Sequence, residues 1–193
     1  MSKTICFTGR RAKELGGYIK SNYSTFIDEL VNILKSHVTE DITFISGGAQ
    51  GFDQLAFWAV DKMIADYNGN HKIENVVYVP FKGQEKAWLE NGLFSQNEYK
   101  NMLSNATNVV YLNDVLTDRN AIVQALYDRN HSMVNDADIV IALYADDDWN
   151  TAKGGTAECM RYAKRNNKTI IQLKYTKVNN KLHIAETKTI QAS

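Results

Sequence analysis

Proline occurs once in 193 residues, cysteine twice, and the charges cancel at 22 basic against 22 acidic side chains. Each shortage closes off a class of protein. With a single proline and no low-complexity stretch or internal repeat, there is no sign of a linker dividing the chain into modules. Two lone cysteines, Cys6 and Cys159, lack metal-ligand spacing and exclude a disulfide framework. They read as small buried hydrophobes in a reducing compartment. A zero net charge supplies no global field to recruit nucleic acid or an anionic membrane, so any anion site must be local. No apolar run approaches the roughly 18 residues of a membrane span, and the N-terminus leads straight into a strand. A cytoplasmic protein is expected.

What is present is an alternation of two patterns. Strand-like runs occur at Thr4 to Thr8, Ile42 to Ser46, Asn75 to Pro80, Asn108 to Leu112, Asp138 to Tyr144 and Thr169 to Leu173. Between them lie helical patterns at Tyr23 to Val38, Gln50 to Tyr67, Ser95 to Ser104, Asp118 to Asn135 and Gly154 to Asn166. Strands that are continuously apolar and separated by helices indicate a mostly parallel sheet covered on both faces. The expected fold is α/β, doubly wound and Rossmann-like, in one domain over residues 1–174. Residues 175–193 read as an extension with a small hairpin around Asn179-Asn180, Tyr175 to Lys177 against Lys181 to Ile184, and a frayed tail.

Three glycine-bearing turns follow this pattern: Thr8-Gly9-Arg10-Arg11, Ser46-Gly47-Gly48-Ala49-Gln50-Gly51-Phe52-Asp53, and Lys153-Gly154-Gly155-Thr156-Ala157-Glu158. In an open parallel sheet such turns gather at one edge, where free helix N-terminal amides and the helix dipole favour a phosphate. The second is not a Walker loop, since no Gly-Lys-Ser/Thr follows. Gly47, Gly48, Gly154, Gly155 and Thr156 are therefore candidate phosphate contacts, with Arg10 or Arg11 as counter-charge and Gly9 and Gln50 as further candidate ligand-binding residues of the same turns. Asp53 stands in a first helical turn, where it either stabilises the helix start or reaches a ribose hydroxyl. Glu158 has the same two readings, the second placing it beside a sugar whose N-glycosidic bond it helps to break.

Other residues offer less. A helical arginine such as Arg129 is ordinarily solvated or salt-bridged, and His131 has no spaced partner. Trp88, Phe81 and Gln84 follow a strand end, and the two aromatics serve either as a stacking wall for a base or as core. Asp146-Asp147-Asp148 lacks both a histidine and the spacing of a calcium loop, so it reads as a mobile acidic lid rather than a metal site. No metal or cofactor is called for.

Taken together, Thr8-Gly9-Arg10-Arg11 with Leu15-Gly16-Gly17-Tyr18, Ser46 to Gly51, Pro80-Phe81 with Gln84 and Trp88, Arg129-Asn130 with Met133, and Gly154-Gly155-Thr156 resemble the SLOG superfamily of Rossmann-like nucleotide-binding proteins. The likeness is to its YpsA-like branch, found in Gram-positive bacteria and their phages. Two relatives imply different activities. Ser46 to Asp53 is similar to the glycine turn of the DprA family, which binds single-stranded DNA. Arg129 to Glu158 is similar to the LOG phosphoribohydrolases, whose arginine and glutamate cut the base from a nucleoside monophosphate and which imply a homodimer. Against the LOG pattern, Tyr144 to Lys153 is inserted, a proline and a glycine are missing, and Glu158 follows the threonine one residue early. On a helix that turns a side chain by about 100°. The resemblance implies a binder of a nucleotide or ADP-ribose-like ligand that senses or sequesters it. The alternatives are an N-glycosidase using Arg129 and Glu158, and a DprA-like DNA binder, which the neutral charge disfavours.

Overall fold

A computed structural model describes residues 2–192. Seven strands form one sheet in the order β4-β3-β2-β1-β5-β6-β7. They are β1 (Lys3–Gly9), β2 (Ile42–Ser46), β3 (Ile73–Val79), β4 (Asn108–Tyr111), β5 (Ile139–Leu143), β6 (Thr169–Val178) and β7 (Lys181–Ile190). The first six are parallel, and β7 runs antiparallel to β6. The helices are α1 (Ala12–Leu15), α2 (Ser24–Lys35), α3 (Phe52–Ala65), α4 (Gln96–Asn105), α5 (Arg119–Asp136) and α6 (Gly155–Arg165).

Strand alternation sorts the core onto two faces. Ile5, Phe7, Phe44, Ile141 and Leu143 pack with Phe26, Leu30, Phe52, Ala56 and Val60 of α2 and α3. Cys6, Ile45, Val140 and Ala142 pack with Met133, Val134, Cys159 and Met160 of α5 and α6. Both cysteines are free and buried. Burial pushes the Cys159 thiol up to about 12, so it is inert at neutral pH. The expected doubly wound sandwich is the observed one.

Two expectations need correction. The terminal hairpin does turn at Asn179-Asn180, which take φ of 50° and 63°, but it is not small. Its second strand pairs along nearly all of β6, from Lys181 opposite Val178 to Ile190 opposite Ile170, with a bulge between Lys174 and Tyr175. Beyond Leu182, which enters the core, β7 alternates weakly and carries mostly exposed residues, so its sequence does not read as a strand. The acidic segment is also not a free lid. Asp147 pairs with Lys174 and Lys188, Tyr144 donates to Asp148, Gln172 donates to the Asp146 carbonyl, and Trp149 is buried. Among the described residues no cluster of metal ligands forms there or elsewhere.

The chain winds outward in one direction from β1 to β4 and then returns to place β5 on the other side of β1. At that reversal the two connecting segments diverge and leave a crevice at the carboxyl ends of the strands.

Candidate functional site

The crevice is a cleft of about 290 Å³. Its walls come from the turn after β1 (Thr8 to Arg11 and Glu14), the start of α3 (Ala49, Gln50 and Asp53), the middle of α5 (Arg129 and Asn130) and the start of α6 (Gly154 to Thr156). Three guanidinium groups and two carboxylates therefore meet two helix N-termini.

The α6 terminus is open. Gly154 occupies the cap position with φ 112° and ψ 160°, and no side chain caps the helix. The first amides of α6 thus retain their donor capacity, and the helix dipole places partial positive charge beside them. The α3 terminus is closed by the protein itself. The Phe52 amide donates to the Arg10 carbonyl, and the Ala49 amide donates to the Asp53 carboxylate. Gly51 permits this packing, since a Cβ there would lie 2.6 Å from the Ala12 nitrogen and the Arg10 oxygen.

The three arginines are held differently. Arg10 donates to Glu14 Oε1 at 2.9 Å and lies 4.3 Å above the Tyr144 ring centroid, so both its charge and its face are engaged. The other oxygen of Glu14 accepts the Arg11 amide. The Arg11 side chain has no ion pair among the described residues. Desolvation lowers its pKa first, Asp53 opposes the shift and Arg129 adds to it, which leaves a crowded but still charged guanidinium. Arg129 donates through Nη1 to Asp53 Oδ2 at 3.2 Å, with side-chain exposures of only 4% and 9%. Its Nε, also buried, has no hydrogen-bond partner. Removing one member of so buried a pair typically costs about 3–5 kcal/mol.

Sequence reasoning brought together Gly9, Arg10, Arg11, Gln50, Asp53, Arg129, Gly154, Gly155 and Thr156, all of which border the cleft. Six other candidate residues lie elsewhere. Gly47 sits behind the wall, where its missing Cβ makes room for the Arg129 guanidinium, and Gly48 is covered by Tyr99 and Met102. Phe81 is buried, Gln84 donates to the Tyr99 hydroxyl, and Trp88 packs edge-on against Tyr99 at 5.2 Å. Gln84 and Trp88 thus buttress α4 through Tyr99. Glu158 is also outside the cleft. Its Oε1 lies 3.1 Å from His131 Nε2 and 3.6 Å from Arg165, and the His131 ring stacks on Tyr162. Gln50 borders the cleft, but its side-chain amide is engaged, donating to the Phe94 carbonyl. Glu14 was missed, although its place four residues after Arg10 on a helix was a usable signal.

The YspA SLOG family model matches residues 5–178, and the chain belongs to that family. It is 28% identical over 149 residues to "Uncharacterized SPbeta prophage-derived protein YoqJ" of Bacillus subtilis (strain 168), covering 72% of this chain and 80% of that protein. Among solved structures, DNA processing protein A (DprA) from Streptococcus pneumoniae is similar in fold, with a TM-score of 0.55 at 10% identity. The match covers 92% of this chain but only 52% of the DprA chain. No helix among the described residues is long and apolar enough to cross a membrane.

Proposed function

We propose that this SLOG family protein binds a nucleotide or ADP-ribose-like ligand, with the ligand's phosphate at the α6 N-terminus, and serves to sense or sequester it. The observation that carries this reading is the convergence of uncapped α6 amides with the Arg11 and Arg129 guanidiniums in one cleft. Oriented amides, the fixed Arg129 guanidinium and the uncommitted charge of Arg11 together favour an anion. Three arginines against Glu14 and Asp53 leave one positive charge before the dipoles are counted. That balance suits a small ligand of low negative charge better than a polyanion. Asn130, which lines the cleft with both donor and acceptor atoms, is suited to sugar hydroxyls.

The geometry does not favour N-glycosidic cleavage by Arg129 and Glu158. A carboxylate that stabilises a developing sugar cation must reach the reacting carbon. The Glu158 carboxylate instead joins α6 to His131 of α5. A role in gripping single-stranded DNA lacks the excess of lysine and arginine that counterion release requires.

The test is thermal denaturation with a panel of nucleoside monophosphates and ADP-ribose, beside mass spectrometry of any small molecule that copurifies. A ligand at 100 times its dissociation constant adds roughly 2.7 kcal/mol, or on the order of 5–10 °C for a domain this size. A flat response across the panel overturns the reading.

A further inference from the structure

Beside the anion cleft lies a second depression of about 200 Å³. Val123, Leu126 and Tyr127 of α5 form one side, and Arg11, Arg129, Asn130 and Gly155 form the other. Those last four also line the anion cleft, so the two spaces adjoin across them. Val123, Leu126, Tyr127 and Asn130 recur at the i, i+3, i+4, i+7 spacing and make one stripe along the helix. Its apolar members join none of the three core clusters, and Val123 and Tyr127 are 46% and 36% exposed.

We infer that this annex, lined by Val123, Leu126 and Tyr127 of α5, takes the planar base of the ligand. The inference rests on the binding reading above and adds the place where the base lies and the residues that hold it. Three features support it. The annex is too small for a helix of another protein, whose diameter with side chains is about 10–12 Å, but it admits a ring system. Its chemistry suits a flat, weakly polar group. Tyr127 offers an aromatic face, Val123 and Leu126 offer apolar edges, and the planar Arg11 guanidinium can cover the opposite face. Asn130 stands between the two spaces with both donor and acceptor atoms for a base edge or a sugar hydroxyl. Moreover, Trp88 packs on Tyr99 and Phe81 is buried, whereas the Tyr127 side of the annex adjoins the anion cleft through four shared residues.

The experiment is calorimetric titration of the full chain with adenosine 5′-monophosphate and, separately, ribose 5-phosphate, using wild type, Tyr127→Ala, Tyr127→Phe and Val123→Asp. All three substitutions fall on exposed positions, and circular dichroism melts verify their folding. Wild type is expected to bind the nucleotide at least about tenfold tighter than the sugar phosphate, in keeping with the usual worth of base stacking on an aromatic ring. Tyr127→Ala should lose about tenfold for the nucleotide and stay within about twofold for ribose 5-phosphate, while Tyr127→Phe keeps both. Equal affinity for the two ligands, or a nucleotide affinity indifferent to Tyr127→Ala and Val123→Asp, overturns the annex and leaves the anion cleft standing. Failure of both ligands to bind, together with a flat response to the whole panel above, overturns the binding reading and the annex with it. Sedimentation of wild type and Val123→Asp completes the test. A monomer supports the inference, whereas a wild-type dimer that Val123→Asp splits assigns the stripe to a second copy and overturns it.

Discussion

The turn after β2 and the turn after β5 both carry paired glycines ahead of a helix, and both end at the same edge of the sheet. The space beside their α-carbons is filled differently. A Cβ on Gly47 would overlap the Arg129 guanidinium, and one on Gly48 would lie 2.9 Å from the Tyr99 ring. At Gly155 the nearest atom is Asn130 Nδ2 at 3.9 Å, and at Gly154 nothing lies within 4 Å. A glycine pair marks a place where something approaches the backbone closely. In the β2 turn the protein itself makes that approach, whereas in the β5 turn the space beside the α-carbons is open, and it is there that we propose the ligand lies. The first turn belongs to the fold, and on the proposed reading the second serves binding.

Substitutions can break that contrast, and the largest effect should come from Gly47→Ala. The added methyl expels Arg129 from its pair with Asp53, adding overpacking of about 1–3 kcal/mol to a buried-pair loss of about 3–5 kcal/mol. Severe destabilisation or failure to fold is expected in a denaturant melt. Adding Arg129→Ala to Gly47→Ala should cost less than the sum of the two single changes, because the clash disappears with the side chain. Strict additivity would place Arg129 elsewhere.

Arg129→Ala by itself leaves Asp53 with only the Ala49 amide as partner. It should lower Tm by roughly 6–20 °C and abolish ligand stabilisation. Gly155→Val should do the reverse of Gly47→Ala. The unliganded Tm is expected to change by no more than about 2–4 °C, while the shift produced by nucleotide disappears, because the methyl groups cover the α6 amides. A variant that unfolds, or one that still binds, would erase the distinction between the turns.

Glu158→Gln is expected to have the smallest effect. The amide can keep the contact with His131, so stability should move by less than about 0.5 kcal/mol and nucleotide binding should persist. Chromatography of mixtures with nucleoside monophosphates should detect no free base with wild type or variant. Release by wild type that Glu158→Gln eliminates would restore the carboxylate to a catalytic role.

The sequence carried the architecture well because buried parallel strands and helix starts leave local signatures. Ile42–Ser46 matches its expected limits, and Ser95 caps α4 through its side chain as a serine before a helix should. It carried less of β7, whose exposed face lacks an apolar rhythm. For the site, the one-dimensional pattern located the edge but not the direction of each side chain. Glu158 shares the first turn of α6 with Thr156, yet Thr156 borders the cleft and Glu158 meets α5. Trp88 looked like a stacking wall because it follows a strand end, but Tyr99 lies against it. Tyr127 drew no notice because an aromatic inside a helix usually enters the core. Partnership across elements decided each of these cases.

The most direct test of the central claim is an experimental structure of the full chain with adenosine 5′-monophosphate bound. The phosphate should lie against the amides at the start of α6, within reach of Arg11 and Arg129, with Gly47 still covered by the Arg129 guanidinium. A phosphate seated on Gly47 and Gly48, with Arg129 displaced, would contradict the assignment of binding to the β5 turn.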